Sequence, residues 1–129
     1  MHSKDLACVV LRVSLGLVFL YFSISQLNSP SEWSSFVPGF LTNFGLSANN
    51  FVVFNGFIEL VFGIFLIIGL YTRFSALVMS LHLFGIAFSI GFNPLGIRDF
   101  GLAFSTLALF LFGPDKYTLD YKYSKNTNR

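Results

Sequence analysis

Chemical equipment is scarce in this chain. Cys8 is the single cysteine among 129 residues, which excludes an internal disulfide, a thiol pair for redox work and a cysteine metal cluster. Histidine occurs twice, as His2 and His82, so one chain has no bis-histidine haem ligation inside a membrane. Charged residues make up 11% of the chain, less than half the usual share of a soluble domain. The net charge of +2 comes largely from the chain ends and points to no nucleic-acid partner. No two glycines stand four apart, so there is no GxxxG dimer face, and no internal repeat is present. A nucleophile paired with a base is also missing.

Apolar surface, in contrast, is abundant. Hydrophobic residues account for 54%, 18 residues are phenylalanine, and the mean hydropathy is +0.71. Four segments approach the ~20 apolar residues needed to cross a bilayer core: Ala7–Leu27, Phe51–Leu70, Phe74–Phe92, and Leu95 to Gly113. Backbone polar groups in hydrocarbon must be satisfied within the segment, so each is expected to be a helix. The fold class expected is all-α, an integral membrane four-helix bundle. One four-helix domain over residues 1–120 would be followed by a loose cytoplasmic tail, 121–129. Arg12 interrupts what would otherwise resemble a signal-peptide core, so the first helix is expected to be retained.

Between the first two spans, Asn28–Asn50 is too long for a turn. Ser29-Pro30-Ser31-Glu32 has the form of a helix start, with Ser29 as N-cap, Pro30 at the first position and Glu32 reaching back. Trp33, Phe36 and Val37 then give one apolar face, which predicts a short interfacial helix anchored by Trp33. Orientation follows from the cations. With four spans both termini share a side, and that side collects Lys4, Arg73, Lys116, Lys122, Lys125 and Arg129. The expectation is an inner-membrane protein with both termini cytoplasmic.

Each span carries ionisable residues at depth. At ~1.5 Å per residue from a common boundary, Arg12 lies ~8 Å deep, His82 ~12 Å, Glu59 ~16 Å and Arg98 ~21 Å, in a core ~30 Å thick. Isolated in lipid, each charged group would cost ~2.5–3.5 kcal/mol or more, so pairing inside the bundle is expected, with Glu59 as its hub. The connection Tyr71–Arg73 makes the second and third spans antiparallel neighbours, which brings Glu59 and His82 to similar depth. The first span offers an interior stripe of Arg12, Gly16, Phe19, Ser23 and Gln26. The third offers Ser75, Met79, His82, Ile86 and Ser89, and Asn55 stands one turn from Glu59. Asp99, beside Arg98, suits the positive end of the fourth helix dipole. Because the apolar run Phe100–Gly113 covers only ~21 Å, Arg98 and Asp99 are expected to enter the outer leaflet under protein cover.

Candidate ligand or proton-relay residues are therefore Glu59, His82, Arg98, Arg12 and Asp99, with Gln26, Asn55, Ser23 and Trp33 in supporting places. Two readings stand. The cluster binds a quinone-sized ligand or passes protons, or it clamps the bundle with no chemistry of its own. No metal site and no covalently bound cofactor are expected.

These residues also carry a family likeness. Arg12-Val13-Ser14-Leu15-Gly16-Leu17-Val18-Phe19-Leu20 resembles the first-helix pattern of DoxX family membrane proteins. Gly56-Phe57-Ile58-Glu59-Leu60 with Gly63, then Gly69-Leu70-Tyr71-Thr72-Arg73, resembles the second helix and its turn. Arg98-Asp99-Phe100-Gly101-Leu102, Gly113-Pro114 and Leu119-Asp120 resemble the closing motif. The resemblance implies a four-helix protein of a prokaryotic cytoplasmic membrane, related to thiosulfate:quinone oxidoreductase components. It further implies a quinone-linked oxidoreductase subunit acting with soluble or membrane redox partners, in a possible homo-oligomer. The alternative is a non-enzymatic scaffold, anchor or small-solute transporter. Gln26 departs from the pattern, since many relatives carry a lysine near the end of the first helix.

Overall fold

In the computed structural model, residues 3–127 are described. His2 and Arg129 lie outside the described residues. Four long helices carry the architecture: α1 (Ser3–Asn28), α4 (Ala48–Ile68), α5 (Thr72–Ile90) and α6 (Pro94–Phe112). All four are long and apolar enough to cross a membrane. Two short helices, α2 (Pro30–Trp33) and α3 (Gly39–Thr42), lie in the loop after α1, with a 3-10 turn at Ser34–Phe36 between them. A final helix, α7, spans Leu119–Thr127.

The helix ends follow local chemistry. α4 starts three residues ahead of its apolar run because the Ser47 hydroxyl caps Asn50 N. Asn93 does the same for α6 through Gly96 N, with Pro94 at the first position. α4 ends on Gly69, at φ 73°, a left-handed conformation that glycine adopts without strain. The start expected at Ser29 differs in detail. Pro30 opens α2, but Ser29 makes no side-chain cap and the Glu32 amide bonds the Ser29 carbonyl instead. Glu32 itself is exposed.

The bundle is made of two tightly packed pairs. α1 lies against α4 because glycines let the two backbones approach. A Cβ at Gly16 would stand 2.5 Å from Ile67 Cγ1 and 2.9 Å from the Gly63 carbonyl, and one at Gly63 would stand 3.1 Å from Phe19 Cβ. α5 lies against α6 through Ala76, Leu83 and Ala87 on one side and Ala103 and Leu109 on the other, all buried. The Ser80 hydroxyl donates to the Ala103 carbonyl at 3.0 Å. Phe19, Leu66, Met79 and Leu83 close the core across the pairs. In lipid such contacts act through close packing rather than through water release.

The chain beyond α6 is more ordered than a loose tail. Asp115 and Thr118 are buried. The Asp120 carboxylate accepts from the amides of Tyr71 (2.7 Å) and Thr72 (2.6 Å), so an anion sits at the start of α5. It thereby braces Tyr71, the one non-glycine residue with positive φ among those described. Thr118 packs directly onto Gly69. Residues 121–127, expected as a loose tail, form most of α7 and are exposed.

A polar chamber beneath the loop helices

The spanning residues brought together are Gln26, Asn55, Glu59 and His82. His82 Nε2–H donates to Asn55 Oδ1 at 2.5 Å. Asn55 Nδ2 donates to Gln26 Oε1 (2.6 Å) and Glu59 Oε1 (3.1 Å), and Gln26 Nε2 donates to Glu59 Oε2 (3.3 Å). Glu59 thus accepts one amide hydrogen bond on each carboxylate oxygen, and Asn55 links it to His82. Glu59 is 6% exposed and Gln26 is 5% exposed.

Gln26 lies level with Gly56, one turn from Glu59 toward the loop, since a Cβ at Gly56 would stand 3.4 Å from Gln26 Cβ. Side chains on an α-helix lean toward its N-terminus. α1 and α4 are antiparallel, so Gln26 leans toward the chain termini while Glu59 leans toward the loop. The two side chains converge. The same lean separates Glu59 from Arg12, which points the opposite way. Arg12 is therefore no part of this cluster. Its Nε bonds Asp115 Oδ2 at 2.9 Å, and its Nη1 donates to the carbonyls of Leu66 and Ile67. It joins the last turn of α4 to the segment after α6, where Asp115 is its partner.

Arg98 also differs from its expected place beside Glu59. Its Nε and Nη2 both donate to Asp99 Oδ1, at 3.0 and 2.9 Å, and its guanidinium lies 4.5 Å from the centre of the Phe22 ring. Asp99 is buried, whereas the Arg98 side chain is 33% exposed. Trp33 packs edge-on to the same Phe22 ring and donates from Nε1 to the Ser25 hydroxyl. It is therefore anchored to α1 and is half-buried. Ser23 is buried too, but its hydroxyl bonds its own helix at the Leu20 carbonyl.

The Glu59 cluster, Arg98, Asp99 and Trp33 border a cavity of ≈ 440 Å³, within the range of small-molecule sites. Glu59, Asn55, His82, Gln26, Arg98 and Asp99 form its polar wall. Its apolar sides come from α4, α5 and α6, and Trp33, Phe36, Val37, Pro38 and Leu41 roof it. The third-span stripe is accordingly split. Ser75 and Met79 are buried in the core, whereas His82, Ile86 and Ser89 are half-buried and face the cavity. The arrangement presents hydrogen-bond donors and a carboxylate at one end of an apolar chamber.

Comparison with curated proteins and with solved structures found no match. A family description, DoxX, matches residues 7–91, a stretch that begins in α1, runs through the turn at Gly69–Tyr71 and includes Gln26, Asn55, Glu59 and His82. With four helices of spanning length and two thirds of its residues matched in order, the chain is an integral, multi-pass membrane protein that belongs to the DoxX family.

Proposed function

We propose that this protein is a membrane subunit of a quinone-linked redox complex, with its ligand site at Glu59 and His82. The observation that carries this reading is the roofed cavity, apolar on its sides and polar at one end. Its composition fits a quinone. The ring and tail of such a ligand match the Phe, Leu and Ile walls, and its carbonyl oxygens need a donor of the kind that Arg98 holds. Quinone reduction consumes two protons and two electrons. Glu59 and His82 are the groups that can take up and release protons at the polar end, and Asn55, bonded to both, holds them in place. The electrons come from a partner, since one cysteine and two histidines provide no cluster or haem for them.

The test is binding of a quinone analogue to the protein in nanodiscs, for wild type, Glu59→Gln and His82→Ala, with thermal unfolding followed in parallel. Binding that is lost by about tenfold or more in variants that still melt cooperatively supports a ligand site. A different observation favours a clamp: Gln26, Asn55 and Glu59 already satisfy one another. If wild type binds nothing and the variants simply melt earlier, the scaffold reading replaces this one. The transporter reading draws less support, because α1, α4, α5 and α6 run unbroken, whereas transporters favour interrupted helices.

The same proposal places the protein in the cytoplasmic membrane with both termini inside. Lys4, Arg73, Lys116, Lys122 and Lys125 gather at the terminal end, as the positive-inside tendency requires. Alkaline phosphatase fused after residue 127 should be inactive, and fused within the α3 loop should be active. The reverse pattern would invert the assignment.

A further inference from the structure

The cavity has a side door. α4 and α5 are joined at Gly69–Tyr71, and near that turn the seam between them is filled by ring pairs: Phe62 against Phe74 and Phe65 against Tyr71. Toward the loop end the two helices lose such contacts, and the space between them belongs to the cavity. Its lining there includes Phe54 of α4 and Leu81 of α5, each 64% exposed on the outer surface of the bundle. A wall that is buried at Glu59 and exposed at Phe54 and Leu81 is open toward the acyl chains.

Gly85 supplies the second observation. It lies inside α5, one turn beyond Leu81, and lines the same cavity. A mid-helix glycine weakens a helix relative to alanine, and the glycines of α1 and α4 are explained by close backbone approach. Gly85 has no such explanation. A Cβ built there meets nothing within 4 Å, and its φ is not positive. What its missing side chain provides is room at the seam.

The flank between α6 and α1 is covered instead. Arg98 covers Phe22 between α6 and α1, Trp33 packs on Phe22 from above, and the loop helices roof the top.

From this geometry we infer that the cavity takes the head of a single-ring amphiphile dissolved in the bilayer, which enters between α4 and α5 and leaves its tail in the seam at Gly85. This rests on the reading of the cavity as a ligand site and narrows it to a class. The head carries a hydrogen-bond acceptor for Arg98, any hydroxyl on it can donate to the second ring nitrogen of His82, and the tail is a flexible hydrocarbon chain that stays in contact with lipid.

Trp33, the single tryptophan of the chain, lines the cavity and makes the test direct. Quenching of its fluorescence is titrated in nanodiscs with two tailed probes, a decyl benzoquinone and a decyl bromophenol, and with their tail-less counterparts. Wild type should bind at least one tailed probe about tenfold more tightly than its tail-less form. Gly85→Leu should weaken that tailed probe about tenfold and the tail-less one less than about threefold. Gly85→Ala controls for helix effects, and Leu81→Phe fills the seam from an already exposed residue should Gly85→Leu fail to fold.

If the bromophenol pair behaves this way and the quinone pair does not, the quinone reading falls and the side entry stands. Equal loss of tailed and tail-less probes, or no loss in folded seam variants, overturns the side entry and leaves the quinone reading intact. No quenching by any probe in wild type overturns both.

Discussion

Replacing Arg12 by leucine is expected to remove roughly 3–5 kcal/mol of stability, the usual consequence of stranding one partner of a buried ion pair. Both partners are withdrawn from solvent, at 3% and 0% side-chain exposure for Arg12 and Asp115, so screening softens the effect little. Arg12→Leu leaves a carboxylate without its cation and the Leu66 and Ile67 carbonyls without a side-chain donor. Those carbonyls belong to the last turn of α4, where helical partners run out. Thermal unfolding in nanodiscs should therefore show a large fall for the single variant. Adding Asp115→Leu should return about half of it, since the unpaired charge is then gone while the orphaned carbonyls persist. A single variant that melts like wild type would mean that Arg12 does not hold the end of the bundle together.

The second large effect contrasts two glycines of opposite sign. Gly16→Ala places a methyl group against the Gly63 carbonyl, a backbone atom that cannot swing aside, and against the side chain of Ile67. The expected cost is about 1–3 kcal/mol, rising for leucine. Gly85→Ala adds the same methyl group to open space, and helix preference alone predicts a gain of about 0.5–1 kcal/mol. Unfolding midpoints of the two variants should move in opposite directions. The first change also has a functional reach, because pushing α1 from α4 draws Gln26 away from Asn55 and Glu59. If Gly16→Ala were neutral, the close approach of α1 and α4 would not be what sets the register of the polar wall.

Most of the architecture was legible in the sequence, because bilayer thickness imposes a length on each apolar run and leaves helices as the solution. Glu59, His82 and Asn55 were legible for the same reason, as polar groups at depth on neighbouring spans. Arg12 falls outside the cluster because a long side chain carries its charge about a turn toward its own N-terminus, a shift that α-carbon depth does not contain. Gln26 was legible only as a member of the interior stripe of the first span; that its amide bonds the Glu59 carboxylate needs the packing of α1 on α4. Asp115 and Asp120 hid in a polar, non-periodic stretch, where only contacts distant in sequence make a carboxylate structural. The Gly113-Pro114 break and the Asp residues on either side of Thr118 were the available signals, and they say where a helix stops, not what the next residues grip. Gly85 could not be singled out among 11 glycines without knowing which backbones touch.

The segment after α6 has a mechanical consequence. It grips α1 through Asp115, the turn at Gly69 through Thr118, and the start of α5 through Asp120. One helical pair is thus riveted to the other at the terminal end of the molecule, while toward the loop end the pairs meet through the His82–Asn55 hydrogen bond and the Arg98 guanidinium over Phe22. The protein is built like a pair of tongs. Their jaws are the lips of the chamber, and any parting of the two halves widens the polar end while the riveted end stays closed.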